Sequence, residues 1–140
     1  MAETLDRVRN NFAQQQAMKT LGASLLSAKP GTVEIGFPFR ADLTQQNGFI
    51  HAGIMTTVLD TACGYAALSV APEGTDVLSV EFKVNLLSPA VGERFVARAA
   101  VKRAGRKLSV CVADAFAITG IEETPVATML ATIMIVGRAS

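Results

Sequence analysis

Residues 53–70, GIMTTVLDTACGYAALSV, are apolar without alternation, between segments at 32–40 and 77–87 that alternate. Ile54, Met55, Val58, Leu59, Ala62, Cys63, Ala66, Ala67 and Leu68 leave a helix here with almost no solvent face. Such a helix must be enclosed by the rest of the chain. Residues 53–71 are just long enough to span a bilayer. Asp60 lies at their centre, however, and a carboxylate at mid-bilayer costs roughly 2.5–3.5 kcal/mol. The segment is therefore expected to be the central helix of a globular core, with no membrane partner.

The flanking segments supply a sheet to do the enclosing. Residues 32–40 place Val33, Ile35, Phe37 and Phe39 on one face, and Pro38 points to an edge or a bulge. Residues 77–87 alternate Leu78, Val80, Phe82, Val84 and Leu86 on one face. Residues 93–103 alternate Phe95, Ala97, Ala99 and Val101, and residues 107–118 alternate Leu108, Val110, Val112, Asp114 and Phe116 with small residues. Residues 23–28 and 125–136 add two more strands. Residues 6–21, stopped by Gly22, carry an imperfect helical stripe within an N-terminal helical segment, 1–22. Short connections make neighbouring strands antiparallel. The expected class is α+β, one domain over residues 1–140, with an antiparallel sheet wrapped around a helix at 53–70.

With 18% charged residues, a net charge of +1 and no basic run, the chain offers nothing to track a nucleic-acid backbone. Cys63 and Cys111 form no CxxC pair, so they are expected to be buried thiols in a reducing compartment, and no metal site is expected. MAETLDRVRNNF lacks an apolar targeting stretch, which makes a cytoplasmic location the expectation.

The candidate chemistry sits around NGFIHAG, residues 47–53. A helix starting near Gly53 or Ile54 leaves the backbone N–H groups around Ala52 to Met55 unpaired, at the positive end of its dipole. Gly48 and Gly53 keep the preceding loop slim enough for a ligand to approach. Such a terminus suits a developing oxyanion. Asp60 is either part of an exposed stripe with Thr57, Thr61 and Gly64, or paired with a cation such as Lys83, or functional. His51 is either a general base or a residue whose hydrogen bond shapes the turn. Gln45 and Asn47 read as loop residues.

These residues resemble a known family. Gly48-Phe49-Ile50-His51-Ala52-Gly53, followed by Asp60-Thr61-Ala62, resembles the hotdog-fold thioesterases, most closely the PaaI-like (phenylacetic acid degradation type) branch. The similarity extends through Leu78-Ser79-Val80-Glu81-Phe82-Lys83, the Ser88-Pro89-Ala90 turn and the Ala104-Gly105-Arg106-Lys107 hairpin. It implies an acyl-CoA thioesterase that needs no cofactor. In it, the Ala52 N–H, with Gly53 next to it, binds the thioester carbonyl and Asp60 is general base or nucleophile. Gln45 assists the carbonyl or the water, and Ser79 holds the water. His51, Asn47 and Gly48 shape the substrate loop, and Arg106 and Lys107 stand where they could meet CoA phosphates. Ala52 replaces the family's usual glycine, and Gln45 the asparagine of many PaaI-like members. The resemblance also implies a homodimer with shared active sites, paired into a dimer of dimers. The alternatives are a hotdog hydratase or dehydratase using His51, and a non-catalytic acyl-CoA-binding protein.

Overall fold

A computed structural model describes residues 2–137 of the chain. In chain order the elements are α1 (Ala2–Gln14), α2 (Gln16–Leu21), β1 (Ser24–Lys29), β2 (Thr32–Pro38), α3 (Ala52–Leu68), β3 (Thr75–Leu86), β4 (Arg94–Ala104), β5 (Leu108–Thr119) and β6 (Glu122–Gly137). The strands form one antiparallel sheet in the order β1-β2-β4-β5-β6-β3, and α3 lies on its inner face. Among the described residues, no helix is long and apolar enough to cross a membrane.

The inner face is built from small side chains. One cross-strand row runs Ile35, Ala97, Ala115, Ala127, Leu86, and the next runs Val33, Ala99, Ala113, Met129, Val84. Alanines at the centre of each row let the helix backbone approach the sheet, while larger side chains at the margins close the sides. Met55, Val58, Leu59, Ala62, Cys63 and Ala66 fill the space between. Phe37 and Phe95 stack at one end, ring centroids 5.2 Å apart. On β5 the bulkier members of the alternation, Leu108, Val110, Val112 and Phe116, therefore face outward, and Cys111, Ala113, Ala115 and Ala117 face the helix.

Several local expectations are corrected. The N-terminal segment breaks at Gln15, whose extended backbone (φ −77°, ψ 108°) separates α1 from α2; Gly22 then closes α2 in the left-handed region (φ 68°). β2 is interior, not an edge, and Pro38 is simply its last residue. β6 begins before Pro125, which pairs with Phe116 beside a bulge that leaves Val126 as the extra residue of β6. In β3 the five apolar residues do not share a face. A bulge between Ser79 and Glu81 inserts Val80 as an extra residue, so Leu78 faces outward while Phe82, Val84 and Leu86 face inward. Residues 87–93 carry the chain across the sheet from β3, at one end, to β4.

One tie was not apparent from sequence. The last carbonyl of α3 and two just past its end are gathered by Arg7 of α1. Its guanidinium donates to Leu68 O at 2.7 Å, Ala71 O at 3.0 Å and Pro72 O at 3.0 Å. A cation at a helix C-terminus also complements the dipole. With Val8 fully buried beside it, Arg7 anchors α1 to the core. Arg7→Ala should lower stability by about 2 kcal/mol, since hydrogen bonds to charged groups contribute on the order of 1.5–3 kcal/mol. Thermal unfolding followed by circular dichroism should show the melting point falling by several degrees, with Arg7→Lys recovering only part of the loss.

Candidate active site

The loop entering α3 is held from three sides. Gly48, at φ 82°, makes the tight turn; its N–H donates to Gln45 O. The His51 N–H donates to Leu43 O and the Ile50 N–H to Ala90 O, so the loop cannot shift along the helix axis. His51 is the N-cap of α3, with its Nδ1 accepting from the Gly53 N–H at 2.8 Å. This bond fixes the neutral imidazole as the Nε2–H tautomer. A Cβ at Gly53 would lie 3.0 Å from that Nδ1, which accounts for the glycine.

The helix starts at Ala52, and its free donors are fewer than expected. The Gly53 N–H is taken by His51 Nδ1, and the Ile54 and Met55 N–H groups by His51 O. Among the described residues only the Ala52 N–H in this turn lacks a partner. Beside it, Gln45 Oε1 accepts from the Asn47 and Phe49 N–H groups. That pins the amide and leaves its Nε2 hydrogens as donors. Gln45, Ala52 and Met55 line a cleft of about 420 Å³, walled by Phe49, Leu86 and Pro89.

Asp60 opens into a different space. Two helical turns on, it is half-buried, and its Oδ1 accepts from Ser79 Oγ at 2.6 Å. The bulge at Val80 is what allows Ser79 to face the helix. Lys83, set against Leu130 on the outer face, is not a partner. Asp60 does belong to a half-exposed stripe with Thr57, Thr61 and Gly64, but the stripe lines a second cleft of about 420 Å³. The two clefts share no residue.

Asn11, Gln15 and Tyr65 also line this second cleft, a group not apparent from sequence. Gln15 Nε2 donates to Tyr65 Oη at 3.0 Å, Tyr65 Oη donates to Asn11 Oδ1 at 2.8 Å, and Thr61 Oγ1 donates to Gln15 Oε1 at 3.3 Å. Burial raises the Tyr65 phenol above its ordinary value, with the Gln15 hydrogen bond opposing, so Tyr65 remains an O–H donor. Burial likewise pushes the Cys63 and Cys111 thiols up, which leaves neither as a ready nucleophile.

The remaining sequence candidates lie outside both clefts. Asn47 and Gly48 are exposed on the turn. Arg106 and Lys107 form the β4–β5 turn, where Lys107 O accepts from the Ile135 N–H, and Ile135 pairs with Val77 at the start of β3. Of the apolar residues that could have lined a pocket, Met55 lines the first cleft and Tyr65 the second, Phe37 is buried in its stack, and Phe39 lies beyond the end of β2.

The fold is that of a known class: residues 47–124 match the thioesterase superfamily, and the chain belongs to that family. A thioesterase family protein from Silicibacter pomeroyi is 53% identical, with a TM-score of 0.93 over 95% of this chain and 98% of that one. A candidate esterase from Halobacterium salinarum is 34% identical over 95 residues, 64% of this chain and 62% of that protein. The E. coli PaaI protein of the phenylacetic acid degradation operon shares the fold, with a TM-score of 0.88 at 18% identity, over 99% of this chain and 96% of that one.

The cap assigns His51 a measurable structural role. His51→Ala should destabilise the protein by about 1 kcal/mol, the usual cost of a lost N-cap. Denaturant unfolding should show that loss, and His51→Asn, which can cap in the same way, should restore most of it.

Proposed function

We propose that the protein hydrolyses acyl-CoA thioesters, as a homodimer with two sites that each draw on both chains. The observation that carries this reading is the separation of two complementary half-sites on one helix. Ala52 and Asp60 are eight residues apart, about 12 Å at 1.5 Å per residue. A thioester carbonyl has to lie near 3 Å from its N–H donor and within similar reach of the base or its water. Two antiparallel helices side by side meet that requirement, each offering its N-terminus to the other's Asp60.

The edge of the sheet supports the same arrangement. β3 pairs only with β6, and its other side is open. It runs twelve residues without proline, and Leu78, Val80, Phe82 and Leu86 are 45–60% exposed. A long apolar edge strand calls for a cover, and a two-fold partner strand supplies one. Ser79 and Asp60 lie at this edge, where a second chain would complete them.

In this mechanism the Ala52 N–H and Gln45 Nε2 polarise the carbonyl and stabilise the oxyanion that forms on it. In the chain that lends its Asp60 to this site, Ser79 of that same chain donates to Oδ1 and leaves Oδ2 for the attacking water. Asp60 takes a proton from that water as its oxygen bonds to the carbonyl carbon. The tetrahedral adduct collapses, the C–S bond breaks, and the proton passes to the CoA sulfur. The other route is direct attack by Asp60, giving a mixed anhydride that water opens. His51 takes no chemical step, which separates this reading from a hydratase.

Free-thiol release from a panel of acyl-CoAs tests the activity; CoA binding without release would mark a binding protein instead. Asp60→Asn should lower kcat by at least about 10² in a folded protein, because it keeps the shape and removes the base. Near-normal turnover would remove Asp60 from the chemistry. The shared site has its own test. Asp60→Asn and Gln45→Ala chains, each nearly inactive alone, are unfolded and refolded together. In a mixed dimer one site carries both lesions and the other neither, so roughly a quarter of wild-type activity should return. No recovery, with mixed dimers confirmed by native mass spectrometry, would show that both groups act from one chain.

A further inference from the structure

We propose that the cleft beside Asp60 is the acyl pocket, and that the Asn11–Tyr65–Gln15 cluster at its far end selects acyl groups with a hydrogen-bonding terminus. The inference rests on the thioesterase reading above and adds the substrate class. Charge decides which arm of the substrate enters. The cleft holds the carboxylates of Asp60 and Asp76 and no cation among its lining residues, so it repels the phosphates of CoA and takes the acyl arm.

Its lining residues give its course along the helix. From Asp60 the cleft follows α3 past Gly64, where an added Cβ would meet nothing within 4 Å. A glycine inside a helix costs about 1 kcal/mol relative to alanine, and here its missing side chain leaves the floor of the cleft open. Tyr65 lies five residues beyond Asp60, about 7.5 Å along the axis, a distance that a hexanoyl chain spans. There the helical run of the N-terminal segment is interrupted, at Gln15, the residue whose amide joins the cluster. The bonds within the cluster use Asn11 Oδ1, Gln15 Oε1 and one hydrogen of Gln15 Nε2. They leave the Asn11 amide hydrogens, the second hydrogen of Gln15 Nε2 and a lone pair on Tyr65 Oη uncommitted. An apolar chain end leaves these groups unpaired, whereas a hydroxyl satisfies them as both donor and acceptor.

The probes are hexanoyl-CoA and its ω-hydroxy analogue, compared by kcat/KM. The wild-type enzyme should favour the hydroxylated substrate by roughly three- to tenfold, the range of a net hydrogen bond. Gln15→Leu and Asn11→Leu should each bring that ratio to about one or below. Gly64→Leu favours the helix and fills the open floor. It should lower kcat/KM for hexanoyl-CoA relative to acetyl-CoA by roughly tenfold. Equal or inverted preference in a wild-type enzyme that hydrolyses both substrates would overturn the inference and leave the thioesterase reading standing. So would a preference that survives both leucine variants, or a Gly64→Leu enzyme with an unchanged chain-length ratio. Absence of thiol release from every thioester would overturn the functional reading itself, and this one with it.

Discussion

Close approach between α3 and the sheet governs the rest of this structure. Ala97, Ala115 and Ala127 in one row, and Ala99 and Ala113 in the next, give the helix a shallow trough. Interiors are packed as densely as organic crystals, so the helix has one depth and one azimuth at which Met55, Val58, Leu59 and Ala62 fit. The azimuth turns Asp60, Thr61 and Gly64 toward β3 and the N-terminal helices. The depth brings Asp60 within hydrogen-bond reach of Ser79. Site geometry in this protein is thus a by-product of how small the sheet's inner side chains are.

The ends of the helix are fixed independently of its flanks. His51 secures the first turn, and Arg7 binds Leu68 O at the last residue and Ala71 O just past it. Both devices engage polar backbone groups at the helix ends. At the first turn the outcome is selective: every N–H there is occupied except that of Ala52. One unspent donor, aimed into a cleft beside a pinned amide, is more directional than a row of loosely hydrated ones.

Much of the architecture was legible in the sequence because it rests on local periodicity. The enclosed helix, the strands and the Gly22 stop follow from spacing and turn chemistry. So does the role of His51 as a turn-shaping residue, one of the two open for it. Features that rest on long-range geometry were not legible. Nothing in the alternation of residues 77–87 reveals that Val80 is supernumerary, since an apolar residue at a bulge looks like one more beat of the pattern. The larger side chains of β5 look like the core face until the alanines are seen to lie under the helix. Tyr65 joins Gln15 and Asn11 across fifty residues or more of chain, and the Arg7 bond to Leu68 reaches further still. The motif around NGFIHAG marks the start of the helix to within a residue, yet its four expected donors reduce to one once His51 is placed.

The bulge in β3 can also be described as a reading-frame device. Ser79 must face the helix to reach Asp60, and Phe82, Val84 and Leu86 lie on that same inner face, Val84 packed against the core. In an uninterrupted strand those demands are incompatible, because positions 79 and 82 have opposite parity. Val80 is the inserted beat that resets the phase between them. Loss of that one residue would be a frameshift written in three dimensions. Either the serine would turn away from the carboxylate, or Glu81, Lys83 and Asn85 would be driven against α3. At Val80 the strand is therefore constrained in the number of its residues.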